Sequence, residues 1–335
     1  LRKAIVSVLL LLLSLILVAE NVKTVLVPEN VRVKTDYCKE TLVKNLADVE
    51  IYESIAIDAF NNTLFILNLK PPEMIRLDLK GNVLLRGGKR GDGPGEFTFP
   101  ISLEIYKGEI YVFDLVQKKL ILFDKNLEYI REIRLLTIAS DFITLPNGQF
   151  VFPQRGGTVH QKCLGVYSAE GKLLRVFGDK EIPFDPKDRD SFSTSDKIRN
   201  LVNDQQENRI WVSFRNRYDL SCFQGETKIL SIREREDFYQ FYYKKDEETK
   251  RKGLVASGGP IKLELIGDKL YNFYKNHNEC FCDIFDKTNG MLLNRVQLDR
   301  IYFKVAHVKE NLFFALAWNT TNEEDPYLYR IQFRP

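Results

Sequence analysis

One phrase recurs six times along this chain and limits its fold more than any other feature: a polar turn followed by a short apolar, aromatic-rich run. It appears as Asn61-Asn62-Thr63 before Leu64-Phe65-Ile66-Leu67, and as Lys107-Gly108-Glu109 before Ile110-Tyr111-Val112-Phe113. Pro146-Asn147-Gly148 precedes Gln149-Phe150-Val151-Phe152, and Glu207-Asn208 precedes Arg209-Ile210-Trp211-Val212. The last two copies are Gly267-Asp268-Lys269 before Leu270-Tyr271, and Glu310-Asn311 before Leu312-Phe313-Phe314. Aromatic and β-branched residues favour strands, and Asn, Gly and Asp supply the conformations that tight hairpin turns need. A second turn follows five of the copies, at Lys80-Gly81-Asn82, Asp124-Lys125-Asn126, Glu170-Gly171-Lys172, Gln224-Gly225-Glu226 and Lys287-Thr288-Asn289-Gly290. Further strands lie beyond, such as Leu173 to Phe177 and Leu292 to Val296. Four strands per unit, repeated at roughly 40 to 60 residues, is the pattern of propeller blades. The expected fold is all-β: a six-bladed β-propeller of four-stranded blades over residues 49–335.

The sixth unit has no second turn after Tyr327-Leu328-Tyr329-Arg330-Ile331. A blade left with an unpaired edge would expose a row of backbone donors and acceptors. A strand within Val31 to Val43, in an N-terminal segment spanning 20–48, is therefore expected to close the last blade.

Residues 1–19 read as an N-terminal signal or anchor helix. Arg2-Lys3 gives a positive start, and Ala4 to Ala19 is apolar apart from Ser7 and Ser14. Cleavage after Ala19 fits a signal peptide, although Leu17 is large for the position two residues earlier. The alternative is an uncleaved membrane tether, for which a rise of about 24 Å is short of a hydrocarbon core of roughly 30 Å. Both readings place the protein outside the cytoplasm, in a periplasm or the extracellular space. No cysteine closely follows the apolar run, so a lipid anchor is not expected. The net charge of +3 includes Arg2 and Lys3, so the remainder is close to neutral. It offers no global field for nucleic acid.

Gly91-Asp92-Gly93-Pro94-Gly95-Glu96-Phe97, followed by Phe99-Pro100 and the strand from Gly108 to Asp114, resembles the NHL-repeat class of six-bladed propellers. In that class a glycine-rich turn leads to Phe and Pro before the inner strand of the next blade. The full motif stands at one blade junction, and the other units share the strand and turn pattern. The functions of that class vary, so the resemblance implies an architecture rather than an activity.

Two blade spacings are long. The surplus lies in Gly178 to Asn203, and in Glu234 to Gly259, where Phe238-Tyr239-Gln240-Phe241-Tyr242-Tyr243 precedes a charged run. The second stretch reads as a helix with an aromatic face, either packed on the rim or acting as a lid or partner-docking element. The five cysteines are too few and too irregular for a disulfide scaffold. Cys280 and Cys282 share one strand face, the spacing of a thiol pair that binds metal or of two small buried hydrophobes.

Loops that follow the aromatic strands should gather on one face of a propeller. They would bring Lys70, Asp114, Lys118, Arg155, His160, Arg215, Arg217, Lys275 and His277 together as a locally basic ring, suited to an anionic protein or glycan. Ordinary solvated loop charge is the plainer reading of the same residues. The three histidines lie in different blades, with no spacing that assembles a zinc site. There is no nucleophile elbow and no phosphate-binding loop. The sequence thus supports an exported, non-catalytic binding module with no cofactor and an unknown protein or glycan partner. The alternative is a metal-dependent lyase or lactonase working at the central channel, which carboxylates and Asn gathered at the channel mouth would favour.

Overall fold

A computed structural model of the chain describes residues 22–51, 54–137, 139, 141–154, 162–179, 198–215, 217–234, 241–245, 252–256, 258–318 and 326–334. The leader expected over residues 1–19 lies outside these.

Six four-stranded antiparallel units form the architecture. Blade 1 comprises Ser54–Phe60, Thr63–Leu69, Pro72–Asp78 and Val83–Gly87. Blade 2 comprises Pro100–Tyr106, Glu109–Asp114, Lys119–Phe123 and Tyr129–Arg134; blade 3, Ile143–Thr144, Phe150–Pro153, Lys162–Tyr167 and Leu173–Asp179. Blade 4 holds Ile198–Asp204, Arg209–Phe214, Asp219–Gln224 and Thr227–Arg233. Blade 5 holds Gly258–Ile266, Lys269–Asn276, Glu279–Asp286 and Leu292–Leu298. Blade 6 has three strands from the C-terminal end, Tyr302–Lys309, Leu312–Trp318 and Pro326–Phe333. Its fourth is Cys38–Asn45, paired antiparallel along Pro326–Phe333. First strands of neighbouring blades touch all the way round, blade 6 against blade 1 included, and so enclose a central channel.

The recurring phrase marks the second strand of each blade, and burial explains its composition. Glu109–Asp114 and Lys119–Phe123 are buried at nearly every position because a neighbouring blade covers each face of the sheet. Such strands read as continuous apolar runs rather than as an alternation. The core consists of six clusters, each shared by two adjacent blades. Leu64, Ile66 and Ile75 of blade 1 pack on Phe314, Leu316 and Leu328 of blade 6, for example. Tyr271 and Phe273 of blade 5 meet Phe313 and Phe333 of blade 6 with ring centroids 5.1–6.0 Å apart.

The N-terminal segment runs along the outer edges of three blades in turn. Lys23–Leu26 pairs parallel with Thr227–Arg233 of blade 4, and Val33–Lys34 parallel with Leu292–Leu298 of blade 5. The chain then enters blade 6 as Cys38–Asn45 and turns into blade 1 through a short 3-10 helix, Leu46–Val49, whose Ala47 amide donates to the Asn45 side chain. The closing strand begins within the Val31 to Val43 window and runs two residues past it, while the Val33–Lys34 part of that window covers blade 5 instead.

The second long insertion differs from expectation. Phe241–Lys245 and Lys252–Ala256 pair as a two-stranded antiparallel hairpin, not as a helix. Consecutive aromatic residues suit a pleated strand better than a helix, where they lose side-chain freedom against the preceding turn. Of the first insertion, Gly178 and Asp179 end blade 3 and 198–203 belong to the inner strand of blade 4. Residues 180–197 lie outside the described set. All five cysteines are free thiols. Cys280 and Cys282 are fully buried in the cluster between blades 5 and 6, and burial pushes the Cys280 thiol up to about 12. Both act as small hydrophobes.

Leu328→Ala opens a cavity at the seam between blades 6 and 1 and is expected to cost about 2–5 kcal/mol in urea unfolding. A chain ending at residue 325 lacks the strand that carries Cys38–Asn45, and calorimetry should then show no cooperative transition.

Candidate functional site

One backbone irregularity, repeated around the ring, builds the mouth of the channel. In five inner strands the register slips by one residue at the same level, between Ser54/Ala56, Pro100/Ser102, Ile198/Asn200, Pro260/Lys262 and Tyr302/Lys304. A β-bulge of this kind re-aims the extra side chain. The extra residues are Ile55, Ile101, Arg199, Ile261 and Phe303, and all of them line depressions at the mouth. At the next pairing level stand Ala56, Ser102, Asn200, Lys262 and Lys304, and two residues deeper stand Asp58, Glu104, Val202, Glu264 and Ala306.

Charge in the channel is unevenly distributed. The carboxylates of blades 1 to 3 each accept a hydrogen bond from the next blade, while Glu264 of blade 5 lies 3.6 Å from the Lys262 ammonium on its own strand. The Ile105 amide donates to Asp58 (3.0 Å), the Thr144 amide and hydroxyl donate to Glu104 (3.0 and 2.8 Å), and the Leu201 amide donates to Asp141 (3.2 Å). The Ser102 hydroxyl also donates to Asp141, at 3.0 Å. Burial raises the pKa of all three carboxyls, and with Asp58 and Asp141 nearby it brings Glu104 up to about 8. Cations come from blades 4 to 6: Arg199, Lys262 and Lys304. Burial works against the charge on Lys262, but Glu264, Asp58, Asp141 and Glu104 outweigh it and hold the ammonium above the ordinary lysine range. Lys304 is the opposite case. Burial, with Arg199 and Lys262 adding repulsion, lowers its amine to about 7.

At the mouth a cavity of about 50 Å³, bounded by residues of all six blades, adjoins a larger apolar depression of about 450 Å³. Ile101, Arg199 and Lys304 line both. The walls of the larger one include Phe99, Leu115, Phe303 and Trp318, with Phe303 and Trp318 stacked at 4.0 Å and only 9° apart. Leu69 and Phe99 also border a third depression of about 380 Å³, reaching Lys70 and Arg90 on the rim of blade 1. The three together make a groove with an aromatic floor and cations at both ends.

The glycine-rich junction sets the position of Phe99. Asp114 is fully buried, and its carboxylate accepts from the amides of Thr98, Phe99, Val116 and Gln117 at 2.7–3.0 Å. This clamp ties the loop before blade 2 to the turn after its second strand. The loop itself is anchored by buried Phe97, which packs so closely on Gly88 that a Cβ there would lie 2.3 Å from the ring.

The residues expected to form a basic ring fare differently. Lys70 borders the groove, and Asp114 holds its wall from behind. Lys118 is exposed at φ 51° on the turn beyond Asp114. Arg217 packs over the Phe214 ring and pairs with buried Asp219 at 3.2 Å. Arg215 is exposed, Lys275 is half-buried at a strand end, and His277 is exposed beside Asn276. None of Lys118, Arg215, Arg217, Lys275 and His277 lines the groove. Arg155 and His160 lie outside the described residues. Arg199, Lys262, Lys304, Phe303 and Trp318 were missed because the conspicuous phrase marks second strands. The available signal was polar alternation in the inner strands, as in Ile261-Lys262-Leu263-Glu264-Leu265. Among the described residues, no group of three or more His, Cys, Asp or Glu side chains converges as a metal site. A separate polar depression of about 500 Å³ lies on the rim between blades 3 and 4, where Lys162 and Asp179 already pair at 2.6 Å.

A carboxyl whose folded pKa is raised stabilises the fold fully at low pH and loses that contribution as pH rises through the folded value. Wild type is therefore expected to lose melting temperature relative to Glu104→Gln steadily from about pH 5 to about pH 8 and to level off above that. Lys304 contributes the opposite slope in both proteins, so the difference between their melting curves isolates Glu104.

No curated protein sequence matches this chain. Among solved structures, a protein of Bacteroides fragilis NCTC 9343 described as a candidate exported protein superposes with a TM-score of 0.64 at 12% identity, covering 94% of this chain and 100% of the other. A DUF4221-family member from Bacteroides vulgatus ATCC 8482 gives 0.59 at 9% identity, covering 90% and 99%. A streptogramin B lyase gives 0.52 at 10% identity, covering 89% and 98%. At these identities the likeness is one of fold. The family DUF5128, described as a six-bladed β-propeller, matches residues 39–315, and the chain belongs to that family.

Proposed function

We propose that this protein is an exported, non-catalytic binding module that takes an acidic glycan along the channel-face groove. The observation that carries this reading is the groove itself, an aromatic floor with Lys304 and Arg199 at its inner end and Lys70 and Arg90 at its outer end. Ligand sites are typically concave, largely apolar and furnished with a few placed polar groups. The negative face of an aromatic ring favours the polarised C–H bonds on the flat side of a sugar. Phe99 and Trp318 are 40% and 37% exposed, which leaves aromatic surface open to a ligand. Export rests on the charged and apolar leader, and the Bacteroides fragilis neighbour supports it.

Carboxylates and Asn200 do gather near the channel mouth, the feature that favours a metal-dependent lyase or lactonase. That reading fits less well because Asp58, Glu104 and Asp141 already hold the backbone of the next blade, and Lys262 stands among them and Glu264 as their counter-charge.

The test is calorimetric titration of the mature protein with tetragalacturonate. Trp318→Ala and Phe99→Ala should each weaken binding by about 1–3 kcal/mol, the range for losing an aromatic contact. Retained affinity in both variants, or no binding by the wild type, would overturn the reading.

A further inference from the structure

Within the groove, Lys304 stands out because its charge has no matched partner. Among the described residues it forms no ion pair or hydrogen bond. The carboxylate that faces it is Asp141 on blade 3, whose oxygens accept from Ser102 and Leu201. Arg199 on blade 4 and Lys262 on blade 5 face it as further cations, while blades 1 and 2 present uncharged Ala56, Ile57, Ile101 and Ser102. Glu104 lies two residues deeper than Ser102 and acts on Lys262. A buried ammonium without a counter-charge is costly, and a bound anion removes that cost.

Space and surroundings narrow the anion. The mouth cavity of about 50 Å³ holds a few waters or one small planar group, since a single water needs about 10–15 Å³ of such space. The carboxylates of blades 1 to 3 disfavour a doubly charged group. Lys304 also borders the apolar depression, so whatever carries the anion lies against Phe303, Trp318 and Phe99.

We propose that Lys304 and Arg199 form a carboxylate-binding subsite, which takes a ligand bearing a carboxylate directly on a ring. This deepens the glycan reading, a uronic acid being such a ligand, and rests on it for the natural ligand only. The seated carboxylate holds Lys304 in its ammonium form, so the protein takes up a proton on binding. The direction of the pH dependence follows. Below pH 7 the amine is already charged and binding is strongest. As pH rises, Lys304 loses its proton and Glu104 begins to ionise near 8, and both changes weaken an anion's hold.

Benzoate, a ring and a carboxylate without a sugar, is the probe, titrated by calorimetry into the mature protein in two buffers of different ionisation enthalpy. Affinity should fall about tenfold from pH 6.5 to pH 8.5, with net proton uptake at pH 7.5. Lys304→Met should weaken binding at pH 6.5 about tenfold or more. Lys304→Arg should retain binding and lose most of the proton uptake, and Glu104→Gln should retain both. No binding of benzoate, or equal binding by wild type and Lys304→Met with both folded by circular dichroism, would overturn the subsite even if tetragalacturonate binds. Lys304-dependent benzoate binding without tetragalacturonate binding would uphold the subsite and overturn the glycan reading alone.

Discussion

Every sheet in this protein is stabilised by the sheet beside it, so the ring must close for any blade to be stable. Each of the six core clusters joins two neighbouring blades, and the middle strands are buried on both faces by those neighbours. A blade removed from the ring would expose two apolar faces. Closure depends on Cys38–Asn45 lying along Pro326–Phe333, two segments from opposite ends of the described chain. The N-terminal segment reinforces this by covering the outer edges of blades 4 and 5 on its way in, which shields backbone groups that would otherwise invite pairing with another chain.

The same closure gives the channel its chemistry. Inner strands pack against the neighbouring blades and also border the channel, where Lys262, Lys304 and Arg199 stand. Three of the carboxylates there serve as struts, each accepting from the backbone of the next blade. Together with Glu264 of blade 5 they offset the charge of Lys262. Lys304 of blade 6 has the cations Arg199 and Lys262 near it, with Asp141 as the facing carboxylate. The structural role of the acids and the binding role proposed for Lys304 both follow from this arrangement of charge.

The groove depends on details remote from the channel. Phe99 takes its place because Asp114 gathers four backbone amides and because Gly88 lets Phe97 pack against the backbone. The motif that resembles an NHL junction therefore also shapes a wall of the candidate site. Asp114 looked like a ligand-facing residue only because it ends an aromatic strand. Its full burial shows that the turn needs its carboxylate more than solvent does.

The sequence alone determined the number of blades, their second and third strands and the turns between them. Burial on both faces leaves an unbroken apolar signature, and tight turns demand Asn, Gly or Asp. Tertiary structure decided which residues meet at the channel. Arg199, Lys262 and Lys304 lie on three different blades, and nothing local to any of them marks a shared destination. A bulge common to five inner strands turns one residue of each towards the mouth, an offset too small to leave a compositional trace. Aromatic runs in the second insertion misled for a related reason: their spacing suits a helical face, but the pairing of Phe241–Lys245 with Lys252–Ala256 gives the backbone a ladder that local sequence does not reveal. Local chemistry dictates which segments become strands, whereas a site assembled from the ends of several strands exists only once long-range packing has brought them into register.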